Sequence, residues 1–210
     1  AEAGPVARSL RRLGAKSSGD FFLANAVHHL CVSLGALLVL ASEESAEVLE
    51  PDRSFRCLPP VSWLAEHLPE VTLGYGVHDL VYGVRQQQAS FWLHGSLLCL
   101  FFGLMCGLGI AHHTVRILVV NLSTFFLVLR RLDLGVWMNW CVDLAFVTSF
   151  FVLRLVLLPL WWVRFLLHGW RSDPGSWGSC MNHGVLAAGL LGGLALHSLN
   201  LYWFWHILRK

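Results

Sequence analysis

The stretch LGYGVHDLVYGV, Leu73 to Val84, sets the adjacent His78 and Asp79 among apolar residues, glycines and tyrosines. Fifteen residues on comes His94 in WLHGSLL. A carboxylate beside an imidazole can fix its tautomer and aim it as a general base. The same pair can also compensate a buried charge and fix helix register without any catalysis. Further polar groups recur in equally apolar surroundings: His28 and His29, Asn121, Ser123 and Thr124, Asp143, Arg154, His183, His197 and His206. Ionisable groups at the centre of a bilayer cost about 2.5 to 3.5 kcal/mol each on insertion scales, so they face a bundle interior and mark function or pairing. Asp143 and Arg154 are 11 residues apart, almost three turns of an α-helix and about 16 Å along its axis. That spacing predicts one shared face, with both residues lining one cavity alongside Asp79 and His94.

The elements that must position these groups follow from composition. Of 210 residues, 56% are hydrophobic and 13% charged, and mean hydropathy is +0.59. An average soluble domain carries about 25% charged residues, so the solvent here is a bilayer. A spanning helix needs about 20 mostly apolar residues. Phe21 to Ala41, Ala89 to Ala111, Thr114 to Leu132 and Met181 to Leu208 meet that length. Val136 to Trp170 reads as one long helix kinked at Pro159, with Trp161 and Trp162 at the interface. Val61 to Val84 includes Glu66, His67, Pro69 and Glu70, so an interfacial segment is expected to lead into a helix starting near Leu68. The expectation is an all-α polytopic membrane protein of six spans around a central cavity.

Six spans put nine Lys and Arg residues on the side of the termini and five on the other. That bias favours termini on the cytoplasmic or matrix side. Residues 1–20 form a basic segment and residues 21–210 the membrane domain. From Ala3 to Gly19 there are basic residues and serines but no acid, which reads either as organellar targeting sequence or as a segment resting on anionic headgroups. The first reading suggests the mitochondrial inner membrane; the alternative is the endoplasmic reticulum.

The six cysteines form no CxxC pair, so no metal framework and no metal cofactor is indicated. Cys57 and Cys180 fall on the side away from the termini and can form a disulfide if that compartment is oxidising. Gly103 with Gly107, and Gly189 with Gly193, permit close helix approach, chiefly inside the bundle. A net charge of +2, with arginines at helix ends, is topology and not a nucleic-acid surface.

In order along the chain, His28 in ANAVHHL, GYGVHD ending at Asp79, WLHGSLL, NLSTFFLVLRRL, RLVLLP from Arg154 to Pro159, and the closing LNLYWFWHILRK with Tyr202 resemble the landmarks of the TLC family. That family is named for translocation-associated proteins, ceramide synthases and a neuronal lipofuscinosis protein. The resemblance is nearest to the small TLC-domain proteins and runs from about Phe21 to the end. It implies a six-helix barrel whose cavity admits an acyl chain, lined by His28, Asp79, His94, Asn121, Ser123, Asp143, Arg154 and Tyr202.

Two departures bear on activity. Members that acylate a sphingoid base carry adjacent histidines at the Lag motif, whereas Gly95 follows His94 here. Relatives also tend to carry glutamate where this chain has Asn121. The expected function is therefore a catalytically degenerate, lipid-binding accessory subunit of a larger membrane assembly. Its partners are membrane lipids and other membrane subunits, with a bound phospholipid or acyl chain in place of a cofactor. Those subunits are expected to cover Trp161 and Trp162 or the basic amino-terminal segment. The alternative is an acyltransferase using an acyl-CoA and an amine-bearing lipid, with His94 as base and Asp79 as its orienter. A transporter or channel is disfavoured, because neither a discontinuous helix pair nor a ring of pore charges stands out.

Overall fold

The computed structural model describes residues 19–42, 50–87, 89–132 and 134–209, without the side chains of residues 19–22 and 89–91. The basic segment up to Ser18 and residues 43–49 lie outside the described residues. Hydrocarbon offers no partner to a free backbone N–H or C=O, so a spanning chain must satisfy them within helices or closed barrels. All regular structure among the described residues is helical. The elements are α1 (Gly19–Ala41), α2 (Pro51–Arg56), α3 (Trp63–Arg85), α4 (Ala89–Gly107), α5 (Val115–Leu118), α6 (Asn121–Leu129), α7 (Val136–Ser149), α8 (Leu158–Arg171) and α9 (His183–Leu208). Short 3₁₀ turns occupy Ala111–Thr114 and Pro174–Ser176, and a π-helical segment, Phe150–Leu157, joins α7 to α8.

Among the described residues, three helices are long and apolar enough to cross a membrane: α1, the continuous run Val136–Arg171, and α9. A fourth crossing exists if Ala111–Leu118 and Asn121–Leu129, bent by 45°, count as one. The expected straight span from Thr114 to Leu132 is thus broken. Asn121 opens α6 and turns its carboxamide N–H to the Leu118 carbonyl, 2.9 Å away, satisfying one acceptor that the break leaves open.

The third helix also departs from expectation. It begins at Trp63, not near Leu68, because Ser62 caps it by accepting from Ala65 N at 3.2 Å. Glu66, His67, Pro69 and Glu70 are all helical, and His67 pairs with Glu70 at 2.8 Å on the exposed face. Leu68 packs into a notch at Gly35 of α1, where a Cβ would meet its methyl at 2.9 Å.

In the long run, the disturbance expected at Pro159 takes the form of the π-helical turns immediately before it. Leu158 N donates to Leu153 O, an i→i+5 bond. Widening the helix there makes room ahead of a residue that has no N–H and whose ring crowds the preceding turn.

α1 packs on α3, α5 and α6, and α3 packs most extensively on α4. Val32 and Ala36 of α1, Ala65 of α3, Phe102 of α4, and Val115 and Leu118 of α5 form one buried core. At one end α2 acts as a plug. Phe55 is 1% exposed, with its ring against Phe165, His168 and Trp177. Cys57 and Cys180 are joined by a disulfide, Cα to Cα 5.9 Å, across 123 residues. In the 3₁₀ turn after α4, His112 Nε2 donates to the Leu58 carbonyl at 2.8 Å and ties that turn to the segment following α2.

Candidate functional site

Asp79 is 2% exposed on the inner face of α3. His94, on α4, donates Nδ1–H to Asp79 Oδ2 at 2.9 Å. The bond fixes the tautomer and leaves His94 Nε2 with its lone pair. His78, the immediate neighbour, is farther, with Nδ1 3.9 Å from Asp79 Oδ1, and that oxygen is buried without a hydrogen bond among the described residues.

Glycine sets the closeness of these helices. A Cβ on Gly95 would lie 2.4 Å from Leu80 N and 2.6 Å from Gly76 O, and a Cβ on Gly76 would lie 2.9 Å from Leu98 Cβ. Backbone atoms cannot move aside as a side-chain end can, so any side chain at position 95 would force α3 and α4 apart. The residue after His94 is glycine because the helices touch there.

A second polar group gathers on Arg154. Its Nε donates to Ser123 Oγ at 2.8 Å, Nη2 to Thr124 Oγ1 at 2.7 Å, and Nη1 to Asn200 Oδ1 at 3.3 Å. Its guanidinium carbon also lies 5.4 Å from the centroid of the Phe150 ring. Sequence spacing joins Arg154 with Asp143, but Asp143 instead accepts from Arg130, and about half its side chain is exposed. Arg154 lies inside the π-helical segment, so the 3.6-residue phase carried forward from Asp143 is lost before it arrives.

A third network joins α1 to the other helices. His29 Nδ1 donates to Asn121 Oδ1 at 2.8 Å, His28 stacks on Tyr75 with ring centroids 3.8 Å apart, and Tyr75 donates its hydroxyl hydrogen to Asn25. With Asn121 neutral, its carbonyl is the natural acceptor for an imidazole N–H.

These groups border a cavity of about 260 Å³. Its wall takes Asn25 and His29 from α1, Tyr75 and Asp79 from α3, His94 from α4, and Ser123 and Thr124 from α6. Arg131, Arg154 and the apolar Leu127, Val128, Phe146, Phe150 and Trp203 complete it. Four residues expected on the wall, Asp79, His94, Ser123 and Arg154, are there. Four others are not: His28 and Asn121 sit one layer behind it, Asp143 faces Arg130, and Tyr202 is 57% exposed and edge-on to His206. Asn25, Tyr75, Arg131 and Trp203 join the wall without having been expected there. A helical period from Asp79 back to Tyr75 is the available signal for one of them.

Trp162, expected at an exposed interface, is turned inward. Its Nε1 donates to Gly189 O at 2.9 Å, and its ring occupies the place a Cβ of Gly193 would need. Gly189 and Gly193 therefore serve packing within the chain, in line with their spacing. Among the described residues, no three His, Cys, Asp or Glu side chains converge as metal ligands.

An all-helical bundle with long apolar helices and a polar cavity between them defines an integral membrane protein. Residues 23–209 match the TLC domain model, and the chain belongs to the TLC family. No curated protein and no solved structure matches it.

Proposed function

We propose that this protein holds the acyl chain of a membrane lipid in the cavity between six membrane-crossing helices and does not transfer that chain. On this reading α3, α4 and the bent Ala111–Leu129 pair complete the six crossings begun by the three long apolar helices. The observation that carries the proposal is the backbone contact of Gly95 with Gly76 O and Leu80 N. It leaves no room for the second imidazole that the acylating relatives carry. The cavity itself combines Asp79, His94 and Arg154 with an apolar wall of Leu127, Val128, Phe146, Phe150 and Trp203, a lining suited to a lipid.

Service as an accessory subunit of a larger membrane assembly is part of the same reading. The outward apolar face of α9, including Leu191, Leu201 and Trp205, offers a surface for neighbours. A mitochondrial address is supported by the acid-poor, basic composition of Ala3 to Gly19. The Cys57–Cys180 bridge fits a far side that faces an oxidising compartment.

One observation favours the competing reading, acyl transfer from an acyl-CoA to an amine-bearing lipid. His94, oriented by Asp79 at 2.9 Å, has the arrangement of a general base with its orienter. Purified protein incubated with labelled acyl-CoA and sphingoid base separates the two. The proposal expects no product, together with co-extracted lipid near one per chain. Turnover that disappears in His94→Ala would establish the transferase instead.

A further inference from the structure

Resting on the lipid-holding reading, we infer that the cavity is selective for a single-chain lipid with an oxyanion head, a carboxylate or phosphate, received by Arg154 and Arg131. Charge makes the first part of the case. Two guanidinium groups line the cavity against one carboxylate, Asp79, which leaves one positive charge in excess. Arg154 has only neutral partners, Ser123, Thr124 and Asn200. Arg131 stands on the same wall. A guanidinium has five N–H donors, and three of those on Arg154 are used, so two remain. In a low-dielectric wall an uncompensated cation is costly, and buried charges are paired.

An independent observation stands beside it. Asn200 is 0% exposed, and its Nδ2 is buried without an acceptor among the described residues, although its Oδ1 serves Arg154. Thr124 likewise accepts from Arg154, which leaves its hydroxyl hydrogen to give. The region around Arg154 is thus rich in donors and short of one acceptor. A planar carboxylate or a phosphate supplies what is missing, and guanidinium matches either bidentately.

Volume and wall fix the rest of the ligand. About 260 Å³ falls below the roughly 300 to 1,000 Å³ of pockets that enclose a drug-sized ligand, so the cavity takes a head and the first carbons of one chain and not two whole chains. The remaining tail must leave sideways. His94 of α4 and Trp203 of α9 both stand on the cavity wall and are partly exposed, so the tail is taken to leave between them.

The test is equilibrium binding to the full chain in phosphatidylcholine nanodiscs, corrected with empty discs. The probes are labelled hexadecanoate, 1-hexadecanoyl lysophosphatidate and the neutral hexadecanol. At least one anionic probe should bind about ten- to a hundredfold more tightly than hexadecanol, the worth of a charge-assisted hydrogen bond. Whichever anion wins identifies the head as carboxylate or phosphate. Arg154→Gln and Arg131→Gln should each remove much of that preference by weakening the anionic probes about tenfold more than hexadecanol. If Arg154→Gln does not fold, Arg131→Gln and the wild-type comparison decide alone. Equal binding of all three probes to wild type would overturn the oxyanion site while leaving the lipid cavity standing. Binding of none would overturn both.

Discussion

His94 Nδ1 and Asp79 Oδ2, on neighbouring helices and 15 residues apart in the chain, are joined by a 2.9 Å hydrogen bond at a carboxylate that is 2% exposed. Deleting the imidazole strands a buried carboxylate, whereas neutralising the carboxylate strands nothing charged. His94→Ala is therefore expected to destabilise the bundle by about 1.5 to 3 kcal/mol, the worth of a hydrogen bond to a charged group. The double variant His94→Ala/Asp79→Asn should recover part of that loss. Reversible unfolding in mixed micelles checks the order, and a double variant no more stable than the single one would show that the charge is not what the imidazole compensates.

The crossing of α3 and α4 predicts opposite signs at two glycines. Gly95→Ala pushes a methyl into Leu80 N and Gly76 O and should cost about 1 to 3 kcal/mol or more. A Cβ on Gly74, in the same helix pair, meets nothing within 4 Å, so Gly74→Ala should be neutral or stabilise by up to about 1 kcal/mol. Thermal unfolding of the two variants side by side reads the contrast. Gly95→His, which restores the adjacent pair, is expected to unfold the crossing and not to confer acyl transfer.

The plug at the far end depends on a covalent tie. Cys57→Ser or Cys180→Ser should lower stability by about 2 to 4 kcal/mol, as expected for a bridge closing so long a loop. The reduced and oxidised wild-type chains should migrate differently on non-reducing gels, and the variants should not. Identical unfolding of wild type and variant would remove the bridge from the stability account.

Much of this arrangement is legible in the amino-acid sequence. The apolar windows locate α1, the long Val136–Arg171 run and α9, because a soluble fold seldom needs twenty apolar residues in succession. The cost of ionisable groups in hydrocarbon places Asp79, His94 and Arg154 in one cavity, while Ser123 enters it only through the family resemblance. Other features escape a count of apolar residues, some because they are local backbone events and some because they depend on tertiary contact. The Ser62 cap carries the third helix through Pro69, and the π-helical turns before Pro159 rotate Arg154 away from Asp143. The inward turn of Trp162 is of the second kind, since only the fold brings Gly193 beneath its ring. Gly95 is the instructive residue. Beside the family resemblance it reads as a departure from an adjacent histidine pair, and the nearness of Leu80 N and Gly76 O shows why a glycine fits there.

The separation of Asp143 from Arg154 has a consequence for binding. Arg130 and Asp143 form a pair with substantially exposed side chains, of the kind worth about 0 to 1 kcal/mol. Asp143→Asn should therefore leave both stability and lipid binding nearly unchanged. A large loss of binding in that variant would return Asp143 to the cavity.

The central claim is that a lipid chain lies inside the bundle, and photocrosslinking tests it most directly. A diazirine-bearing fatty acid incubated with the protein in nanodiscs should label cavity residues such as Phe146, Phe150 and Trp203, as mapped by peptide mass spectrometry. Filling the cavity with Val128→Phe should abolish those adducts while sparing adducts on the outer face of α9. Labelling confined to the outer face of α9, or cavity labelling indifferent to Val128→Phe, would contradict the account.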